Sequence, residues 1–519
     1  MKKLFISALS LILVIAMVAC TGGGSVTETG DSTNGTQQPS GDGLDEQLTL
    51  TDVNTVKVDA SKRHQEIESF GASGAWWAQT VGGNETTRDK IAKLLFDPEE
   101  GIGLNSYRYN IGGGSQDVGS KSVSGIGDRN RRAYSFIGKD GEYDWSRDAN
   151  AVWFMRAAAE YGADEIVMFV NSPLESLTKN GKAYGESGYK SNLAPENYEA
   201  FAKYTLDVAE HFKAEGLPIK YVSPINEPAF EWAGGQEGSH YEDSEVIAIL
   251  KAFVEEIKKR PGLEGVEISG PEGSSWRHSD SRWEDNTLGL FQKIMKDETL
   301  GSYFTALDAH SYWSDTATKK YFAANFNKTY PNVKLRETEW CEMTTGDMKS
   351  EKDLTIGSGL VLAEQVHEDM TILDCVSWSF WTAVSFGEYR DGLLYTDGSG
   401  NSVTTSKRFY TLGNYSRYID RGYTRIDADL GVKDVLVSAY EGVNEKGEKE
   451  TVLVIINKSD KEVNIDFSGI DSSVYNRIDL YVTDRSHSLS NTYHAAFLDG
   501  TAVSLTAKSV TTVVISSQK

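Results

Sequence analysis

Two short runs in this sequence end in a glutamate whose neighbours could tune it. Residues 223–228 read Ser-Pro-Ile-Asn-Glu-Pro, setting Glu227 after Asn226. Residues 336–340 read Arg-Glu-Thr-Glu-Trp, setting Glu339 before Trp340. Two carboxylates facing one bond can share the work of glycosidic cleavage: one protonates the leaving oxygen and the other attacks the anomeric carbon. Either glutamate alone would carry little weight among 76 acidic residues. The case rests on both standing at the ends of β-like runs.

Other reactive constellations are missing. No His-Glu-x-x-His occurs and the eight histidines are scattered, so no metal is expected. Gly112-Gly113-Gly114 leads into a polar loop instead of a helix, so it lacks the N-terminus that cradles phosphate. No Gly-x-Ser-x-Gly elbow is present, and no cofactor is expected. Aromatic rings, by contrast, gather where the glutamates do. Trp76, Trp77, Trp232, Trp313, Trp340 and Trp381 fall at or just after β-like runs. Sugar C–H faces pack on indole planes, so Trp77, Trp232, Trp340 and Trp381 are read as substrate contacts. Trp153 and Trp378 are read as core.

Something must hold both glutamates on one rim, and the alternation of elements supplies it. β-branched or aromatic runs occur at 68–73, 105–110, 165–171, 221–226, 266–270, 306–310, 333–339 and 376–381. Amphipathic stretches such as 148–161, 195–215 and 245–259 separate them, with Pro195 suited to a first helical position. This predicts an α/β chain with a (β/α)8 TIM barrel over residues 62–422. Barrel chemistry sits at the C-terminal ends of strands, where both glutamates fall. After residue 423 the texture becomes short alternating strands with Gly, Asn, Asp and Ser turns, which predicts a β-sandwich. Residues 54–60 alternate too. The side domain is therefore read as 48–61 plus 423–519, tightly associated with the barrel inserted between its parts. Its strands carry few exposed aromatics, so a buttress is expected and not a sugar platform.

The N-terminus reads as an export signal over residues 1–20. Lys2 and Lys3 precede an apolar stretch too short to span a bilayer, ending Met17-Val18-Ala19-Cys20. That ending resembles a bacterial lipobox, which makes Cys20 the expected lipidation site. Residues 21–47 are rich in Gly, Ser, Thr, Asp and Gln and read as a flexible tether. An extracellular, lipid-anchored protein of the cell surface follows, touching the membrane only through that anchor. Cys341 and Cys375 are expected as buried free thiols. A net charge of −24 repels phosphate backbones, which argues against nucleic-acid partners. A monomer with a polysaccharide as its partner is expected.

Several longer segments sharpen the reading. They are Ser69-Phe70-Gly71-Ala72-Ser73, the run Tyr107 to Gly114, Asp308-Ala309-His310-Ser311-Tyr312-Trp313, and the stretch 407–416. Together with Asn226-Glu227-Pro228 and Glu339, this ordered set resembles glycoside hydrolase family 30 over nearly everything after residue 50. The run Asn226 to Trp232, followed by Gln236-Glu237-Gly238, is similar to the endo-β-1,6-galactanase branch. One departure stands at 171–177, Asn-Ser-Pro-Leu-Glu-Ser-Leu, where relatives usually carry aromatics after the proline.

The resemblance implies a retaining double displacement, with Glu227 as acid/base and Glu339 as nucleophile. It further implies that Asn226 bonds the sugar 2-hydroxyl and that Arg108 and Tyr312 keep Glu339 ionised and aimed. His310 either lines the cleft or makes a structural hydrogen bond. The implied substrate is the β-1,6-galactan side chain of plant arabinogalactan. Xylan and β-1,6-glucan are the alternatives within the family. A glucuronoxylan enzyme would want a basic side chain for the acid branch, and Arg277 and Arg390 lie on candidate loops. A non-catalytic, glycan-binding surface lipoprotein is the alternative of another class.

Overall fold

The computed structural model describes residues 43–277, 286–343, 352–387, 389–397 and 400–518. The signal segment, Cys20 and most of the tether lie outside the described residues.

A long strand, β1 (Asn54–Glu66), leads into the barrel strands β2 (Ser69–Ser73), β3 (Ser106–Asn110), β4 (Glu165–Phe169) and β5 (Ile219–Ser223). They continue as β6 (Glu267–Ile268), β7 (Pro271–Gly273), β8 (Ala306–His310), β9 (Lys334–Trp340) and β10 (Ser377–Phe380). All pair in parallel, and β10 pairs with β2. The fifth predicted run is split: β6 pairs with β5, β7 with β8, and the cis Gly270–Pro271 bond lies between them. Segment 267–273 thus closes the ring.

Side-chain alternation explains why these runs read as continuous burial. In β3, Tyr107 and Tyr109 point outward onto Phe96 and Phe212 of the surrounding helices. Arg108, the residue between them, faces the barrel interior. The helix Tyr198–Ala214 buries Phe201, Thr205, Val208 and Phe212, a stripe at three- and four-residue spacing. The turn Pro195–Asn197 before it is a separate 3-10 turn, so the proline stands ahead of the helix. Gly71 permits close strand packing, since a Cβ there would come 2.9 Å from the Ser106 carbonyl oxygen.

A small sheet follows β10: β11 (Thr382–Ser385), β12 (Gly392–Tyr395) and β13 (Thr404–Thr405). The rest is mostly antiparallel: β14 (Thr424–Asp429), β15 (Val435–Val443), β16 (Lys449–Asn457) and β17 (Val463–Ser468). Then come β18 (Arg477–Thr483), β19 (Ser490–Ala496), β20 (Ala502–Leu505) and β21 (Ser509–Ser516). Where the alternation predicts two packed sheets, the hydrogen bonds run as one ladder, β19-β18-β21-β16-β15-β14-β1-β17-β20. Ile478 and Leu480 near one end share an apolar core with Val503 and Leu505 at the other, so the ladder folds over on itself.

β1 does join this unit, but it runs past residue 61 to Glu66, with register shifts against β14 that turn it toward the barrel. The tether also ends earlier than 47. Asp45 N–H donates to the His494 carbonyl at 2.8 Å, and the Gln47 amide donates to that of Ala496. The helices Ile356–Thr371 and Lys407–Ser416 lie between barrel and ladder. Asn414 donates to Thr512 Oγ1 at 2.9 Å, and Tyr440, Val452 and Val514 belong to the barrel's own apolar core.

Candidate active site

The ends of β3, β5, β7, β8 and β9 bring one buried polar cluster together. Arg108 Nη1 donates to Glu339 Oε2 at 2.7 Å, and Nη2 donates to Asn226 Oδ1 at 3.0 Å and Glu272 Oε2 at 2.5 Å. Tyr312 donates its hydroxyl to Glu339 Oε1 at 3.1 Å. His310 Nδ1 lies 2.9 Å from Glu227 Oε1 and 3.6 Å from Glu339 Oε1. A guanidinium has no acceptor, so Asn226 must turn its carbonyl to Arg108 and its NH2 toward the cleft.

Backbone geometry fixes Glu227. Glu227 has φ +44°, a left-handed conformation that costs energy for a residue with a Cβ. Its N–H donates to the Glu272 carbonyl at 2.9 Å. Glu339 is anchored through its own N–H, which donates to Glu337 Oε1 at 2.9 Å. The other oxygen of Glu337 accepts from Ser379 N–H, tying β9 to β10.

Burial pushes the Glu339 carboxyl above its ordinary value, and His310 and Arg108 pull against that rise. Burial alone would discharge His310, but Glu339, Glu227 and Glu272 outweigh it and raise the imidazole well above its usual value. An oxygen of each catalytic candidate and a nitrogen of His310 all lie within 4.8 Å of one another. Such spacing could face a cation, but Arg108 and a charged imidazole already put positive charge there. The trio suits proton handling and attack at carbon.

A cavity of about 650 Å³ opens above Asn226, Glu227 and Glu339. Trp76, Tyr189, Phe230, Trp232, Trp313 and Trp381 stand along it, so sugar faces have aromatic planes to rest on. Trp232 Nε1 donates to the Glu227 carbonyl at 3.0 Å, and a Cβ on Gly238 would come 2.6 Å from the Trp232 ring. Arg390 reaches the cleft paired with Glu342, whereas Arg277 donates to the Trp313 carbonyl. A separate cavity of about 410 Å³ holds neither catalytic candidate and no aromatic ring.

Two of the tryptophans expected to contact sugar sit elsewhere. Trp77 is 1% exposed, donates to the Ser73 carbonyl and packs on Phe154; its neighbour Trp76 takes the cleft position. Trp340 turns into the core against Trp378 and Phe380. Arg108 and His310 are buried beneath the cleft, Arg108 on Glu339 and Glu272 and His310 on Glu227. Trp232, Tyr312, Trp381 and Asn226 do line the cavity. Trp378 is core, and Cys341 and Cys375 are buried and unpaired. Glu272 is the group that sequence patterning passes over. Its signal was faint: an acid just past Gly270-Pro271, at the end of the fifth run.

Comparison with known proteins agrees with this chemistry. A curated relative, the endo-β-1,6-galactanase of Hypocrea rufa, is 23% identical over 392 residues, covering 71% of this chain and 75% of the relative. The glucuronoxylanase XynC of Bacillus subtilis (strain 168) is also 23% identical, over 462 residues, covering 86% and 88%. A solved structure, a conserved exported protein from Bacteroides fragilis, superposes with a TM-score of 0.78 at 24% identity, covering 89% of this chain and all of that one. The model of O-glycosyl hydrolase family 30 matches residues 53–395, more than half of the 519, and the chain therefore belongs to that family.

Proposed function

We propose that this glycosidase is a retaining enzyme that cleaves β-1,6-galactan side chains of plant arabinogalactan. The observation that carries retention is the approach of Glu227 and Glu339 oxygens to within 4.8 Å. Retaining pairs stand about 5–5.5 Å apart, whereas inverting pairs need roughly 6.5–9.5 Å to admit a water. Glu339 attacks the anomeric carbon as the bond to the leaving oxygen breaks, and that oxygen takes the Glu227 proton. Water then attacks the ester carbon of the sugar, gives a proton to Glu227, and releases Glu339. Asn226, with its NH2 toward the cleft, bonds a hydroxyl of the sugar under attack.

The galactanase relative and the segment Asn226–Trp232 support the substrate. The glucuronoxylanase relative, with Arg390 on the cleft wall, favours xylan as the second reading. We place the enzyme outside the cell on a Cys20 lipid anchor, as a monomer, with the folded-over β unit a sandwich that buttresses the barrel. Products from de-arabinosylated galactan, xylan and β-1,6-glucan test the assignment, alongside Glu227→Gln and Glu339→Gln. Galactose oligomers lost in both variants support it. Products from xylan or glucan alone discard the substrate. Sugar binding without any product returns the protein to the non-catalytic class.

A further inference from the structure

Glu272 is fully buried, yet it is charged and central. Its Oε2 lies 2.5 Å from Arg108 Nη2 and 3.6 Å from His310 Nε2. Among the described residues, that ring nitrogen has no hydrogen-bond partner, so Glu272 is the carboxylate it faces. The opposite nitrogen, Nδ1, stands between Glu227 and Glu339.

Counting charge shows what this arrangement does. On the mechanism proposed above, Glu227 enters the reaction carrying the proton it will donate, Glu339 and Glu272 are negative, and Arg108 and a doubly protonated His310 are positive: the cluster is neutral. In the covalent intermediate Glu339 is an ester and Glu227 has given up its proton, so the cluster is neutral again. Remove the Glu272 charge and both stages carry an uncompensated positive charge inside the barrel, which favours loss of a proton from His310 or Glu227.

The surroundings do not supply a substitute. Tyr312 is pushed well up by burial and stays neutral. Burial and Asp369 raise the carboxyl of Glu337, beneath Glu339, well above its ordinary value, and both its oxygens are taken up by the backbone N–H groups of Glu339 and Ser379. Asp308 on β8 is pushed up to about 7 by burial and is engaged by Arg336 at 3.3 Å. Burial would raise Glu272 also, but Arg108 and His310 outweigh it and hold it below its ordinary value.

We propose that Glu272 is a positioning residue of the reaction: the buried counter-charge that keeps His310 doubly protonated, its Nδ1–H serving whichever of Glu227 and Glu339 is negative. This rests on the roles assigned to those two glutamates.

The test follows the imidazole nitrogens of the full chain, labelled with 15N-histidine, across pH, with His310 assigned by its loss in His310→Gln. In the native protein His310 stays doubly protonated through pH 8. In Glu272→Gln it should lose a proton about one pH unit lower or more, and the alkaline limb of kcat/KM on galactan should move down with it. Uniform loss of activity with an unmoved His310 titration and an unmoved limb overturns the proposal. If Glu272→Gln does not fold, Glu272→Asp carries the test, since it keeps the charge but withdraws it; a smaller shift in the same direction is expected, and none overturns it. Should Glu227→Gln and Glu339→Gln keep full turnover, the catalytic reading fails, while the His310 titration still judges the role of Glu272.

Discussion

Arg108 Nη1 lies 2.7 Å from Glu339 Oε2, with Glu339 on the cleft floor and Arg108 buried beneath it. Taking one partner from a buried charge pair leaves the other charge unpaired, typically at a cost of about 3–5 kcal/mol. Arg108→Met should therefore lower kcat by orders of magnitude. A buried ion pair without catalytic duty would instead lower Tm while leaving kcat of the surviving fold intact. Steady-state kinetics beside a melting curve separates the two.

The Tyr312 hydroxyl supplies the second hold on Glu339. Hydrogen bonds to charged groups contribute roughly 1.5–3 kcal/mol, so Tyr312→Phe should cost about 10- to 100-fold in kcat. KM should move little, because the contact is to Glu339, the proposed nucleophile. An unchanged kcat would remove Tyr312 from the machinery.

Adjacent tryptophans should part company. Trp77→Ala empties a core site and should destabilise the fold by about 3–5 kcal/mol. Trp76→Ala and Trp381→Ala, on the cleft wall, should raise KM with Tm almost unchanged. Melting temperature against KM for the three variants checks this, and equal Tm losses would contradict it.

Asp148 ties acidity to stability. It accepts from the Tyr109 hydroxyl at 2.7 Å, and burial pushes its carboxyl up to about 7. The folded chain holds a proton there that the unfolded chain releases near 3.9. That stabilisation is fully present below the unfolded value and is lost as pH rises through about 7, amounting to about 4 kcal/mol at most. Asp148→Asn keeps an acceptor for Tyr109 and suits the residue's φ of +52°. Its Tm should fall less than the native Tm between pH 5 and 8; parallel curves would show that Asp148 does not contribute.

The barrel was legible because its strands obey a local rule. Runs such as 306–310 appear as strands with the same bounds, and the others shift by a few residues, since buried parallel strands must be short and apolar on their helix side. The catalytic candidates were legible for a related reason: strand ends are where a barrel exposes polar groups, and Glu227 and Glu339 stand there. The aromatic positions were legible only in part: Trp232 and Trp381 line the cleft as expected, but Trp77 and Trp340 do not. Trp76 and Trp77 are neighbours of one type, and only the path of the chain after β2 turns one into the cleft and the other onto Phe154.

Sequence by itself determined the α/β fold class and singled out two carboxylates and neighbours that the fold brings together, because these follow from side-chain period and residue type. Tertiary structure alone decided that Trp76 and not Trp77 lines the cleft, that Trp340 turns into the core, that Arg108 and His310 lie beneath the cleft, and that Glu272 joins them. The reason is physical. Arg108, Glu227, Glu272, His310 and Glu339 come from five separate strands or their loops, and the charge each carries depends on distances of a few ångströms that only closing the ring creates.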